Sequence, residues 1–184
     1  MKKLLFLLMV TLFAVVNSFA NTLVDSTVAT KYSKKKIDLK HIKKAVKVID
    51  KTFNKEVSGS DFVLLDDGTL INLVFKKYVG SKEVKSKVLT GKVSIDYIIG
   101  NDIVRETYYI NKDGIVIKAV SESYEYKSKD KYDLTSTVEV YFINYKNPMF
   151  VLNGEKITTT QDVIDSIMGE MRSSLYGITK YFNK

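Results

Sequence analysis

Apolar and polar side chains alternate with a period of two from residue 62 to 152, interrupted only by short turns that carry Gly, Asn or Asp. A period of two sends successive side chains to opposite faces of a strand, so this stretch can cover one face of a sheet and cannot give a helix a coherent apolar stripe. Strands are predicted over 62–65, 70–79, 85–99, 103–110, 115–127 and 132–145, followed by a short hairpin from 149–152 around Asn153-Gly154. Asp66-Asp67-Gly68-Thr69 reads as a tight hairpin whose glycine takes a positive φ. Gly100-Asn101-Asp102 reads as a second turn, and Asn111-Lys112-Asp113-Gly114 as a type I turn with a glycine bulge. Connections this short join antiparallel neighbours, because a parallel pair needs a crossover of about a dozen residues or more. The expected sheet is a curved antiparallel meander of about six to eight strands.

Helical periodicity brackets the strands. At 100° per residue, Leu39, Ile42, Ala45, Val46, Ile49 and Phe53 fall within one arc of about 120°, which predicts an amphipathic helix over 34–54. Near the other end Ile164, Ile167, Met168, Met171, Leu175, Ile178 and Phe182 recur at threes and fours. Thr159 or Thr160 is placed to cap that second helix, and Asp162 to favour its positive end. Both stripes are expected to pack on the sheet. The fold class is therefore α+β, an antiparallel meander flanked by an N-terminal and a C-terminal amphipathic helix. One domain over 34–184 is expected, preceded by an exposed linker over 21–33.

Residues 1–20 read as a secretory signal peptide. Lys2 and Lys3 precede an apolar run over 4–16, and small residues at Ser18 and Ala20 mark a cleavage site after Ala20. As a helix that run reaches only about 20 Å, against about 30 Å of bilayer core. Without cysteine there is no acylation site at the cleavage point. The mature chain is expected to begin at Asn21 in a bacterial periplasm or the extracellular space, with no transmembrane segment.

Loss of Lys2 and Lys3 leaves 27 basic residues against 21 acidic ones, a net charge of +6. Ten lysines lie between Lys31 and Lys55, where the only acids are Asp38 and Asp50, so this segment carries +8 and the remainder is slightly acidic. Lys36, Lys40, Lys43, Lys44, Lys47, Lys51 and Lys55 fall on the helix side away from the apolar arc. The ridge Lys36, Lys40, Lys43, Lys44, Lys47 and Lys51 is the predicted contact for an anionic surface, whether envelope lipid or another polyanion. Only Arg105 and Arg172 are arginines, which argues against bidentate phosphate recognition and against a nucleic-acid partner.

The absence of cysteine and the presence of a single histidine exclude thiol nucleophiles, disulfides, iron–sulfur clusters and metal sites that need two imidazoles. His41 borders the lysine ridge, and its nearest acid, Asp38, fits a local i,i+3 contact. No phosphate loop, dinucleotide fingerprint, nucleophile elbow or H-E-x-x-H motif occurs. The carboxylate pairs Asp66 with Asp67, Glu122 with Glu125, and Asp130 with Asp133 read as turn and surface chemistry. No catalytic residue, metal or cofactor is predicted.

Tyrosine is enriched, with twelve residues and no tryptophan. Tyr97, Tyr108, Tyr109, Tyr124, Tyr126, Tyr132, Tyr141 and Tyr145 fall in predicted strands, where aromatic rings suit the pleated surface. Tyr97, Tyr109, Tyr124 and Tyr141, with Met168 and Met171, are the predicted contact for an amphiphilic ligand or a protein partner. These features point to an exported, non-enzymatic binding protein; the alternative is an exported hydrolase that uses carboxylates without a recognisable motif.

Overall fold

The computed structural model describes residues 38–80, 90–129, 131–143 and 148–182. They fall in two compact units, one within Ser33–Thr158 and the other containing Thr159–Lys184. The first unit opens with helix α1 (Leu39–Thr52) and continues as eight strands: β1 (Lys55–Leu64), β2 (Leu70–Val79), β3 (Gly91–Ile99), β4 (Asp102–Ile110), β5 (Val116–Ser128), β6 (Lys131–Tyr141), β7 (Met149–Leu152) and β8 (Glu155–Ile157). They pair in chain order as one open antiparallel sheet with β1 and β8 at its edges, the meander that the short turns require. The second unit's helix, α2, spans Gln161–Phe182 and begins directly after Thr160. Among the described residues no helix is long and apolar enough to cross a membrane.

The turn chemistry works as the residues dictate. The Asp67 carboxylate accepts the Thr69 backbone N–H at 2.9 Å, which holds its pKa below the usual aspartate range, and Gly68 takes φ +85°. In the β4–β5 turn the Asn111 side-chain oxygen accepts the N–H groups of both Asp113 and Ile115 at 2.9 Å, with Gly114 at φ +76°.

Three boundaries depart from the sequence reading. The first strand starts at Lys55, not at 62, because 55–61 is an edge segment with most side chains exposed, so burial imprints no alternation on its sequence. Lys55, placed above on the helix side away from the apolar arc, therefore lies in β1. The third strand starts at Gly91 and the sixth ends at Tyr141; residues 85–89 and 144–147 lie outside the described residues. So do residues 34–37 of the predicted N-terminal helix, whose described part begins with Asp38 as N-cap. The Asp38 carboxylate accepts the Lys40 N–H at 3.2 Å.

Helix α1 lies on one face of the sheet. Ile42 and Ile49 form a core with Ile117 and Tyr141, lined by Leu39, Ala45, Val46, Phe53, Tyr109, Ile143, Met149 and Val151. Two backbone features make that fit. Gly91 takes φ +93° directly under Phe53, and a Cβ at this position would come within 2.6 Å of the ring. Ile117 is the extra residue of a β-bulge, since Tyr109 pairs with Lys118 while Ile110 pairs with Val116. The bulge turns Ile117 toward the side shared by Lys118, where α1 needs an apolar partner. The opposite face carries buried Ile71, Phe75, Val93, Ile95, Tyr97, Tyr108, Ile110, Val138, Val140 and Phe150.

Candidate functional site: the polar and aromatic sheet face

The α1 side of the sheet differs in composition from the apolar side, and the strand register arranges it in rows. In the row nearest α1, Tyr78 stands opposite Lys92, Lys92 opposite Tyr109, Tyr109 opposite Lys118 and Lys118 opposite Tyr141. Tyrosine and lysine alternate across five strands. The Lys92 ammonium sits 4.5 Å from the centre of the Tyr78 ring, and that of Lys118 sits 4.9 Å from the Tyr141 ring and 5.9 Å from the Tyr109 ring. These are cation–π distances. Lys92 and Tyr109 also reach Asp50 of α1, at 3.1 and 3.3 Å, and Lys118 pairs with Glu139. Burial, then the Asp50 carboxylate, raises the Tyr109 pKa, so its phenol stays protonated and donates.

Further along the strands lies a charged row. Asp96 of β3 stands opposite Arg105 of β4, which stands opposite Glu122 of β5. Arg105 grips both Asp96 oxygens, at 2.7 and 2.9 Å, and Lys76 of β2 adds a third contact at 2.9 Å. The Asp96 side chain is only 6% exposed. Burial alone would raise its pKa, but hydrogen bonds from Arg105 and Lys76 outweigh that effect and hold the carboxyl below the usual aspartate range. The same pairing raises the Arg105 pKa further. Ser94, between Lys76 and Thr107 in the adjacent row, has a buried hydroxyl with no hydrogen-bond partner among the described residues.

The next row along the strands is mostly apolar. Phe62, Asn72, Ile98, Ile103, Tyr124 and Leu134 pair in sequence across six strands. Its two ends are open, with Phe62 66% and Leu134 53% exposed. The Arg105 guanidinium lies 5.5 Å from the Tyr124 ring, and burial followed by Glu122 raises the Tyr124 pKa. A two-residue step along a strand is about 6.6 to 6.8 Å, so the apolar row and the Tyr–Lys row stand about 20 Å apart with the charged row between them.

The structure thus brings Tyr109, Tyr124 and Tyr141 to one face and puts Tyr97 on the other, where it is buried. Met168 and Met171 are buried in the second unit. Lys40, Lys43, Lys44, Lys47 and Lys51 are exposed on α1, and Lys36 lies outside the described residues. His41 is exposed, and its Nδ1 lies 3.5 Å from the Asp38 carboxylate, the local contact that the i,i+3 spacing predicts. Sequence reasoning did not single out Tyr78, Lys76, Lys92, Asp96, Arg105 and Lys118, whose significance lies in cross-strand pairing. On this face Lys92 pairs with Asp50, Lys118 with Glu139, and Lys76 and Arg105 with Asp96. Among the described residues no cluster of three or more His, Cys, Asp or Glu side chains is placed to hold a metal ion. No protein-family model matches this chain, and neither a curated protein nor a solved structure does.

Proposed function

We propose that this chain is an exported, non-enzymatic binding protein of a bacterial envelope or extracellular space, and that the α1 side of its sheet holds an amphiphilic ligand. The observation that carries the reading is the change of character along the strands, from the apolar row of Phe62, Ile98, Ile103, Tyr124 and Leu134 to the charged row of Asp96, Arg105 and Glu122. An apolar tail would lie along the first and a polar end against the second. Lys76 and Arg105 are balanced by Asp96 and Glu122, which favours a zwitterionic or uncharged polar end over a strongly anionic one. Export is supported by Lys2 and Lys3, the apolar run that follows them, and Ala20.

The reading is tested by titrating lysophosphatidylcholine below its micellar concentration into the protein and into a variant with Phe62→Asp and Leu134→Asp. Both side chains are more than half exposed, so the variant retains the fold. Saturable binding is expected for the unmodified protein. The variant is expected to bind at least about tenfold more weakly, as loss of about 1.4 kcal/mol of apolar contact requires. Equal binding by the two proteins would contradict the reading.

A further inference from the structure

We infer that the exposed side of α1 is a peripheral docking surface for anionic phospholipid bilayers, held by charge alone without insertion. This goes beyond the ligand site on the sheet and does not depend on it. Lys40, Lys43, Lys44, Lys47 and Lys51 are all exposed along about 17 Å of helix. The two acids that could neutralise them are engaged elsewhere. Asp38 caps the helix and contacts His41, and Asp50 is held by Lys92 and Tyr109. Among the described residues none of the five lysines has an acidic partner, so their charge is available to an external surface.

The mode of contact follows from what the other side of the helix does. A free amphipathic helix binds membranes by sinking its apolar face into the headgroup boundary. Here that face is occupied: Ile42 is 1% and Ile49 7% exposed, packed with Ile117 and Tyr141 of the sheet. Val48, at 57% exposure, is the one large apolar side chain left open on α1, too little to anchor it. The ridge is built of lysines, compact charges that attract an anionic surface without the fork geometry that arginine uses to grip individual phosphates. A fluid bilayer presenting diffuse negative charge matches that chemistry.

Each lysine near an anionic bilayer contributes about fivefold in partitioning, so removing four lowers it on the order of several hundredfold. The test uses sedimentation of the full chain with phosphatidylglycerol vesicles at low salt. Every variant keeps residues 1–37 unchanged, so whatever that segment contributes is common to all. Lys40→Gln, Lys44→Gln, Lys47→Gln and Lys51→Gln together are expected to remove most of the salt-sensitive component of binding while leaving the circular dichroism unchanged. A matched control with Lys112→Gln, Lys131→Gln, Lys156→Gln and Lys180→Gln makes the same change in net charge at exposed lysines elsewhere, and is expected to retain most binding. The component removed by the ridge substitutions should also disappear at 0.5 M salt and be absent from phosphatidylcholine vesicles. An equal loss in the control variant, a ridge-dependent component that survives high salt, no binding to phosphatidylglycerol at low salt, or tighter ridge-dependent binding to heparin than to vesicles would each overturn the inference.

Discussion

Replacement of Asp96 by Ala is expected to destabilise the protein by about 3 kcal/mol in denaturant unfolding. Its carboxylate is nearly sealed from water and is the shared acceptor for Arg105 and Lys76, whose side chains are 33% and 15% exposed. Removing one member of such a group leaves the others partly desolvated with no counter-charge, and for fully buried pairs this costs about 3 to 5 kcal/mol. The partial exposure of Arg105 puts the expectation at the low end. Replacing the whole group, by adding Lys76→Met and Arg105→Leu to Asp96→Ala, should recover much of the loss, because stranded charges are then absent.

The same group sets an acid limb to stability. The folded-state pKa of Asp96 is depressed, so the folded state binds this proton less readily than the unfolded chain. Its contribution is full above the unfolded value of about 3.9 and is lost as pH falls toward and through the folded value. The stability difference between the protein and its Asp96→Asn variant should therefore be constant near neutrality and shrink below about pH 4. A difference independent of pH from 7 down to 2 would show that Asp96 is not held ionised by Arg105 and Lys76.

Ile42→Ala is expected to cost about 2 to 5 kcal/mol. The residue is 1% exposed at the centre of the contact between α1 and the sheet, flanked by Ile49, Ile117 and Tyr141. Truncation removes three carbons from a site bounded by rigid strands on one side and a capped helix on the other, so the surroundings have little room to collapse into the gap. Lys47→Ala on the exposed side should change stability by no more than about 0.5 kcal/mol. Equal, small effects from both would mean that α1 does not contribute to the core.

The apolar arc of α1 was legible in the sequence because burial on one side selects Leu39, Ile42, Ala45, Val46, Ile49 and Phe53 at helical spacing. The β2 span and the turn at Gly68 were legible for a similar reason, since alternation and turn chemistry both act locally. The candidate site was much less so. From the tight turn at Gly100 one can count back along β3 and β4 and pair Asp96 with Arg105 and Lys92 with Tyr109. That count fails between β4 and β5, where the bulge at Ile117 shifts the register by one, whereas between β5 and β6 the extra residues Lys127 and Thr135 lie on opposite strands and cancel. A shift of one sends every later side chain to the other face. The alternating row of Tyr78, Lys92, Tyr109, Lys118 and Tyr141 depends on the bulge at Ile117 and is not apparent from spacing alone. Tyr97 illustrates the same limit: enrichment in tyrosine says nothing about which face each ring occupies.

Native mass spectrometry of the protein recovered from its source cells tests the ligand reading most directly. The account predicts a chain mass beginning at Asn21, accompanied by a species carrying one retained amphiphile, and loss of that species in the variant with Phe62→Asp and Leu134→Asp. A bare chain in every gentle preparation, or an adduct that persists unchanged in the variant, would contradict it.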